Sequence, residues 1–260
     1  DNRIYEESDL FFLNEIHNCW GFHTRFSHTQ PTTALQQMNE SVGRAAHFLK
    51  DAQWLIITLG SAFQYFLKNE NGDLPVANCH RAPGQWFEKR LLPIDTIINQ
   101  VQHTLHRLYS INPTLNIIFT ISPVRHIRDG VVDNNRSKAR LLEAVHTIVE
   151  QNESCSYFPA YELVIDILRD YRFYDIDMVH PNYLATQFVW EHFAKTYFTA
   201  ESQDLLKQLM ELTIARHHHP RFPDTEAHRR FLANQLAKVQ QLKTLYPYID
   251  FDEDMAYFQQ

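Results

Sequence analysis

The sequence predicts an α/β fold in which a parallel sheet is covered by helices on both faces and followed by a helical C-terminal extension. Three observations carry this. Trp54-Leu55-Ile56-Ile57-Thr58-Leu59 and Asn116-Ile117-Ile118-Phe119-Thr120-Ile121 are short, β-branched and almost continuously apolar, the pattern of strands buried on both faces. Segments with apolar residues at three- and four-residue steps alternate with them, which implies helical, right-handed crossovers. Beyond about Phe198 the strand pattern stops and only helical stripes continue.

In chain order, residues 10–28 carry Phe11, Phe12, Ile16, Trp20, Phe22 and Phe26 and read as an aromatic hairpin around Asn18 and Gly21. Leu35, Met38, Val42, Ala45 and Leu49 form the first helical stripe, with Thr32 or Thr33 as its cap. Ile94, Ile97, Ile98, Val101, Leu105 and Leu108 form the second, which stops before Asn112-Pro113 because a residue preceding proline avoids the helical region. Leu141, Leu142, Val145, Ile148 and Val149 form the third, and Cys155-Ser156-Tyr157-Phe158, closed by Pro159, is a weaker third strand. Three strands make a thin sheet for this much chain, so further strands are expected. Leu205, Leu206, Leu209 and Leu212, then Phe231, Leu232, Leu236, Val239 and Leu242, predict a helical pair joined through Arg216-His217-His218-His219-Pro220. The expected division is a 1–198 α/β domain and a 199–260 helical extension.

The 260 residues suit one large domain with an appendage, at roughly 150 residues per domain. No apolar run approaches the roughly 20 residues that span a bilayer, so membrane insertion is not expected. A net charge of -7 speaks against a nucleic-acid partner, which calls for a basic face. Cys19, Cys79 and Cys155 cannot form a paired disulfide framework, and the expected location is cytoplasmic. The chain opens Asp1-Asn2-Arg3, with neither Met nor signal peptide, and reads as a start in mid-protein.

Ligands of an open parallel sheet bind beyond the carboxyl ends of its strands. Polar residues concentrate there: Gly60-Ser61 and then Asn78-Cys79-His80 after the first strand, Arg125-His126 after the second, and Asp177-x-x-His180 after the third. The last spacing lets a carboxylate orient an imidazole and leave Nε2 free as a general base, or else makes a local loop hydrogen bond. Asn78 could donate to an oxyanion, and Cys79 or His80 could line a pocket; a turn asparagine beside a small buried cysteine is the plainer alternative. Arg125 suits a carboxylate or phosphate group, or a pairing with Asp129. His126 is a second acid–base or positioning candidate. His217-His218-His219 reads as a solvated helix end, since three consecutive residues cannot face one ion; no metal or cofactor is expected.

Several segments together resemble the GSCFA family, a branch of the SGNH/GDSL-like hydrolases. They are Ile56-Ile57-Thr58-Leu59-Gly60, Asn78-Cys79-His80-Arg81, Thr120 through His126, Asn135-Arg136-Ser137-Lys138, Tyr157 through Glu162, Leu168 through Tyr174, and Asp177-x-x-His180-Pro181, in order across residues 10–198. The resemblance implies a three-layer α/β/α fold of SGNH/flavodoxin-like type and an ester-hydrolase mechanism with His180 as base and Asp177 as its orienting carboxylate. It puts the nucleophilic serine in a Gly-Ser-Cys-Phe-Ala motif, which these 260 residues lack; Gly60-Ser61-Ala62-Phe63 is a partial echo. The expectation is a strand–helix–strand unit ahead of Asp1 that carries it. Wider SGNH enzymes place an asparagine where Ala62 stands, so Asn78, His80 and His126 become the candidate oxyanion donors. The expected substrate is a small-molecule or carbohydrate acyl ester. The alternatives are a non-catalytic binding module and, less favoured, Ser61 as nucleophile without a nucleophile-elbow sequence around it.

Overall fold

The structure, a computed structural model, describes residues 3–70 and 72–259. Asp1 and Asn2, on which the reading of the chain's start rests, lie outside them. The described chain divides into two units, one running to Val189 and one from Trp190 onward.

The first unit begins with a hairpin of β1 (Phe11–Leu13) and β2 (Ile16–Asn18). Its turn is Asn14-Glu15, with φ of 52° and 63°, and not the expected Asn18–Gly21 region. Two consecutive left-handed residues match the right-handed twist of the flanking strands, and asparagine tolerates that conformation. Helix α1 (Pro31–Asp51) starts on Pro31 with Gln30 at the N-cap and no side-chain cap. The expected Thr32 or Thr33 cap is therefore displaced by a proline whose fixed φ and missing N–H suit the first helical position.

Strand β3 (Trp54–Leu59) leads into a separate antiparallel sheet of β4 (Phe63–Leu67), β5 (Leu74–Val76) and β6 (Phe87–Leu91), in the order β5-β4-β6. Helix α2 (Ile94–Ile111) returns the chain to β7 (Asn116–Ile121), and α3 (Gly130–Glu150) returns it to β8 (Cys155–Phe158). The three predicted strands pair in parallel in the order β3-β7-β8. The further strands expected for this sheet are found instead in the antiparallel sheet and the hairpin. Asn112 stitches the far end: its amide donates to the carbonyls of Leu49 and Ala52 at 3.0 and 2.7 Å, satisfying groups left open at the end of α1.

One face of the parallel sheet forms the main core. Ile117, Phe119 and Ile121 of β7 pack with Ile97 and Leu105 of α2 and Leu141, Val145 and Ile148 of α3. The opposite face is covered unevenly. Ile118 is buried, but Ile56, its partner on β3, is 52% exposed and Trp54 is 53% exposed. β3 is thus not the fully buried strand that its composition predicts. It is an edge strand, and an apolar run cannot by itself report which face will be covered.

After β8 come α4 (Ala160–Glu162), a π-helical stretch Leu163–Leu168, and α5 (Tyr183–Tyr197), within which the two units divide. The second unit continues with α6 (Ala200–Arg216), α7 (Glu226–Leu245) and α8 (Asp252–Phe258). Leu212, Val239, Leu242, Phe251 and Phe258 form its core, so a third helix joins the predicted pair. Arg216 pairs with Asp254 at 3.1 Å and with Glu253 at 3.4 Å, in the first turn of α8. No described helix is long and apolar enough to cross a membrane.

This asymmetry is measurable. Phe119→Ala, in the fully buried face of β7, is expected to lower the unfolding free energy by about 3–5 kcal/mol. Ile56→Ala on the open face of β3 should cost less than about 1 kcal/mol. Urea denaturation of the two variants checks the ratio, and equal costs would mean that β3 is covered as fully as β7.

Candidate functional site

The carboxyl ends of β3 and β7 are tied together from below by two neighbouring residues of α3. Lys138 is 1% exposed, and its Nζ donates to the carbonyls of Gly60 and Ser122 at 2.7 and 2.6 Å. Ser137 Oγ accepts from the Ala62 backbone N–H at 2.7 Å and lies 3.3 Å from Ser61 Oγ. Burial lowers the Lys138 amine to about 8, because the charged form loses its hydration. Sequence reasoning missed this pair as functional residues. The available signal was positional: Lys138 falls on the buried stripe of Asn134, Leu141, Val145 and Ile148, where a charged side chain is out of place.

Beyond β7 the chain turns into Arg125 and His126. The His126 backbone N–H donates to Asn134 Oδ1 at 2.9 Å. A Cβ placed on Gly60 would lie 3.8 Å from His126 Nε2, so the ring rests over the end of β3 without demanding glycine there. The Arg125 backbone N–H points to the Val179 carbonyl at 3.4 Å, which brings in the third segment. Gly60, Arg125, His126 and the Asp177–His180 loop therefore meet at one edge of the sheet, where an open parallel sheet binds its ligands.

The Asp177–His180 loop is closed on itself. Tyr174 and Pro181 form an isolated bridge, and the Asp175 N–H donates to the His180 carbonyl at 2.8 Å. Met178 sits at φ 58°, an uncommon conformation for a bulky residue. That turn lets the Asp177 carboxylate accept three hydrogen bonds. Oδ1 takes the N–H groups of Val179 and His180 at 2.8 and 3.0 Å, and Oδ2 takes His180 Nδ1 at 2.6 Å. A carboxylate acceptor there makes Nδ1 the protonated nitrogen, which in the neutral imidazole leaves the lone pair on Nε2. Both side chains are exposed, at 59% for His180 and 44% for Asp177.

The remaining candidates go elsewhere. Asn78 Oδ1 accepts from the His80 N–H at 2.8 Å, and its amide donates to Thr24 Oγ1 at 3.3 Å. His80 is buried, with Nε2 2.8 Å from the Cys19 carbonyl and its ring against Phe11 and Trp20. Burial pushes its pKa down, towards the neutral form. Both residues hold the N-terminal segment between Phe11 and Thr24, and among the described residues no hydrogen bond or ring contact joins them to Gly60, His126 or His180. Ser61 bonds to Ser137 and accepts from the Phe63 N–H at 3.1 Å, with no imidazole among its partners. Burial raises the Cys79 thiol, the opposite of an activated nucleophile. Asp129, an open partner for Arg125 in the sequence, is taken by Lys89. Among the described residues no group of three or more His, Cys, Asp or Glu is placed to hold a metal ion.

Comparison with known proteins gives a consistent family assignment. A family model described as "GSCFA family" matches residues 1–193, and one described as "GSCFA domain protein, C-terminal domain" matches residues 209–260. Glucoside xylosyltransferase 2 of Xenopus laevis is 23% identical over 227 residues, which are 80% of this chain and 51% of that protein. The chain thus spans about half the length of this curated relative. No solved structure matches.

The three hydrogen bonds hold the Asp177 carboxyl down to about 2, His180 first among the causes. An unfolded aspartate titrates near ~3.9, so the folded carboxylate takes up its proton later. Its contribution to stability is whole above about pH 4 and fades as the pH falls through about 2. In an NMR titration the Val179 and His180 amide signals should accordingly move with a midpoint near about 2; a midpoint near ~3.9 would mean that the carboxylate accepts no such bonds.

Proposed function

The chain belongs to the GSCFA family, and from that premise we propose that the protein hydrolyses an acyl ester carried by a carbohydrate or another small molecule. The observation that carries this reading is the 2.6 Å bond between Asp177 Oδ2 and His180 Nδ1, with the imidazole exposed at the carboxyl edge of the sheet. An unassisted serine hydroxyl is a weak nucleophile, and a tautomerically fixed imidazole is what activates it.

In this scheme His180 Nε2 removes the proton of a serine hydroxyl as its oxygen attacks the ester carbonyl. The imidazolium formed is stabilised by the Asp177 carboxylate. The same proton then passes to the departing alkoxide, leaving an acyl-enzyme. A water molecule, deprotonated in turn by His180, releases the acid and restores the serine. The hydroxyl must approach Nε2. Ser61 is held by Ser137 and the Phe63 N–H, which argues for another serine in that role. The scheme uses no metal or organic cofactor, no nucleic acid and no membrane insertion.

A second reading is a binding module that keeps the fold without turnover. It is favoured by the observation that Ser61 meets no imidazole and that Asn78 is spent on Thr24.

Assay of the full-length protein on short acyl esters separates the two. His180→Ala is expected to lower kcat by about 10²–10⁴-fold, and Asp177→Asn, which leaves the imidazole in the wrong tautomer, by a comparable factor. Fluorophosphonate labelling followed by peptide mapping identifies the serine. Turnover unchanged in His180→Ala would remove the base from the mechanism, and absence of both turnover and label in the wild-type protein would favour the module.

A further inference from the structure

A cavity of about 290 Å³ opens between the chain that follows β7, the start of α3 and the π-helical stretch. Its polar lining is Arg125, Asn134, Asn135, Lys138, Tyr161 and Tyr171. Two of these are cations, and no Asp or Glu lines the cavity.

Neither cation has a carboxylate partner among the described residues. Of the acids nearby, Asp129 pairs with Lys89, Asp133 pairs with Arg136 at 3.0 Å and Glu162 accepts from the Tyr157 hydroxyl at 2.8 Å, while Asp166 acts on the Tyr161 hydroxyl and pairs with neither cation. Lys138 spends its hydrogen bonds on two carbonyls, which satisfy donors but neutralise no charge. A buried, uncompensated ammonium is costly, and a cavity with a second cation adjoining it is where a compensating anion lowers that cost. The Arg125 guanidinium carbon lies 4.4 Å from the Tyr174 ring centre and 5.2 Å from that of Tyr171. These cation–π contacts and an interaction with the Tyr174 hydroxyl hold the guanidinium in place, and its remaining N–H donors are left for an oxyanion. The cavity also stands at the N-terminal end of α3, whose dipole adds to the same sign of potential. At the rim Ile127 and Val131 are 59% and 77% exposed, apolar surface in keeping with an organic stem.

We propose that this cavity is an anion subsite that takes a carboxylate or phosphate group borne by the substrate. The assignment rests on the hydrolase reading for the word substrate, but the binding itself does not. Arg125 links the two, because its side chain lines the cavity while its backbone N–H meets Val179, one residue before His180. An anionic head held there would fix the orientation of a bound molecule relative to the base.

The test is calorimetric titration of the full-length protein at low ionic strength with inorganic phosphate and, separately, with butyrate. Saturable binding of one or both is expected, and the stronger of the two identifies the head group. Arg125→Gln should weaken that binding about tenfold, the scale of one charge-assisted pair. Asn135→Asp, at an exposed lining position where the carboxylate can still accept from the Asn134 amide, should weaken it comparably by adding a negative charge. Absence of saturation with both anions, or binding that neither substitution weakens, would overturn the proposal. Because the titration needs no turnover, anion binding by a protein that cleaves no ester would sink the hydrolase reading alone.

Discussion

The rest of the site depends on one buried amine. Lys138 enters the interior from α3, and its ammonium group must find acceptors there, since an unbonded buried charge is far more expensive than a bonded one. It finds them in the carbonyls of Gly60 and Ser122, the groups at the carboxyl ends of β3 and β7. The segments that leave β3 and β7 are thereby held to one point. Ser137, the preceding residue, accepts from the Ala62 N–H, two residues further along the first of these segments. The segment from Ser122 to His126 is fixed by this clamp and by Asn134, and the Asp177–His180 loop then docks on it through Val179.

Rigidity and exposure are divided between different parts of the molecule. The face of β7 toward α2 and α3 is completely buried, and it supplies a stiff base. The histidine–aspartate pair stands on a loop with both side chains open to solvent. Its precision comes from local over-determination: Met178 holds a conformation worth about 1–3 kcal/mol of strain, and three bonds to one carboxylate, with the Tyr174–Pro181 bridge, keep it there. In the role proposed for it, an exposed imidazole oriented in advance would meet nucleophile and substrate without reorganising at each encounter.

The uneven cover of the parallel sheet bears on the same theme. β7 is buried on both faces, whereas β3 shows Trp54 and Ile56 on one. The sheet carries the candidate base and the cavity toward its β7 side and presents a half-open apolar face at its β3 edge. The helical second unit has its own core around Leu212, Val239 and Phe251, and Arg216 closes it against α8.

What the sequence alone determined is local. The strands at 54–59, 116–121 and 155–158 were legible because a continuous β-branched run repeats the strand period within a few residues, and the helices because 3.6-residue spacing does so within a few turns. Asp177-x-x-His180 was legible as a pair because three residues of chain suffice to bring a carboxylate to an imidazole. Only the tertiary structure decided the rest. β4 and β6 carry no local strand signal, because Phe63-Gln64-Tyr65-Phe66-Leu67 does not alternate cleanly and Phe87-Glu88-Lys89-Arg90-Leu91 has three charged residues at its centre, and their partner rows, such as Phe66 against Glu88, lie twenty or more residues apart. Asp129 went to Lys89 rather than Arg125, Asn78 and His80 went to the N-terminal segment around Cys19 and Thr24, and Lys138 became the clamp under the site. Each of these outcomes depends on which surfaces are buried together, and burial is a property of the packed chain, set by distances that no local spacing encodes.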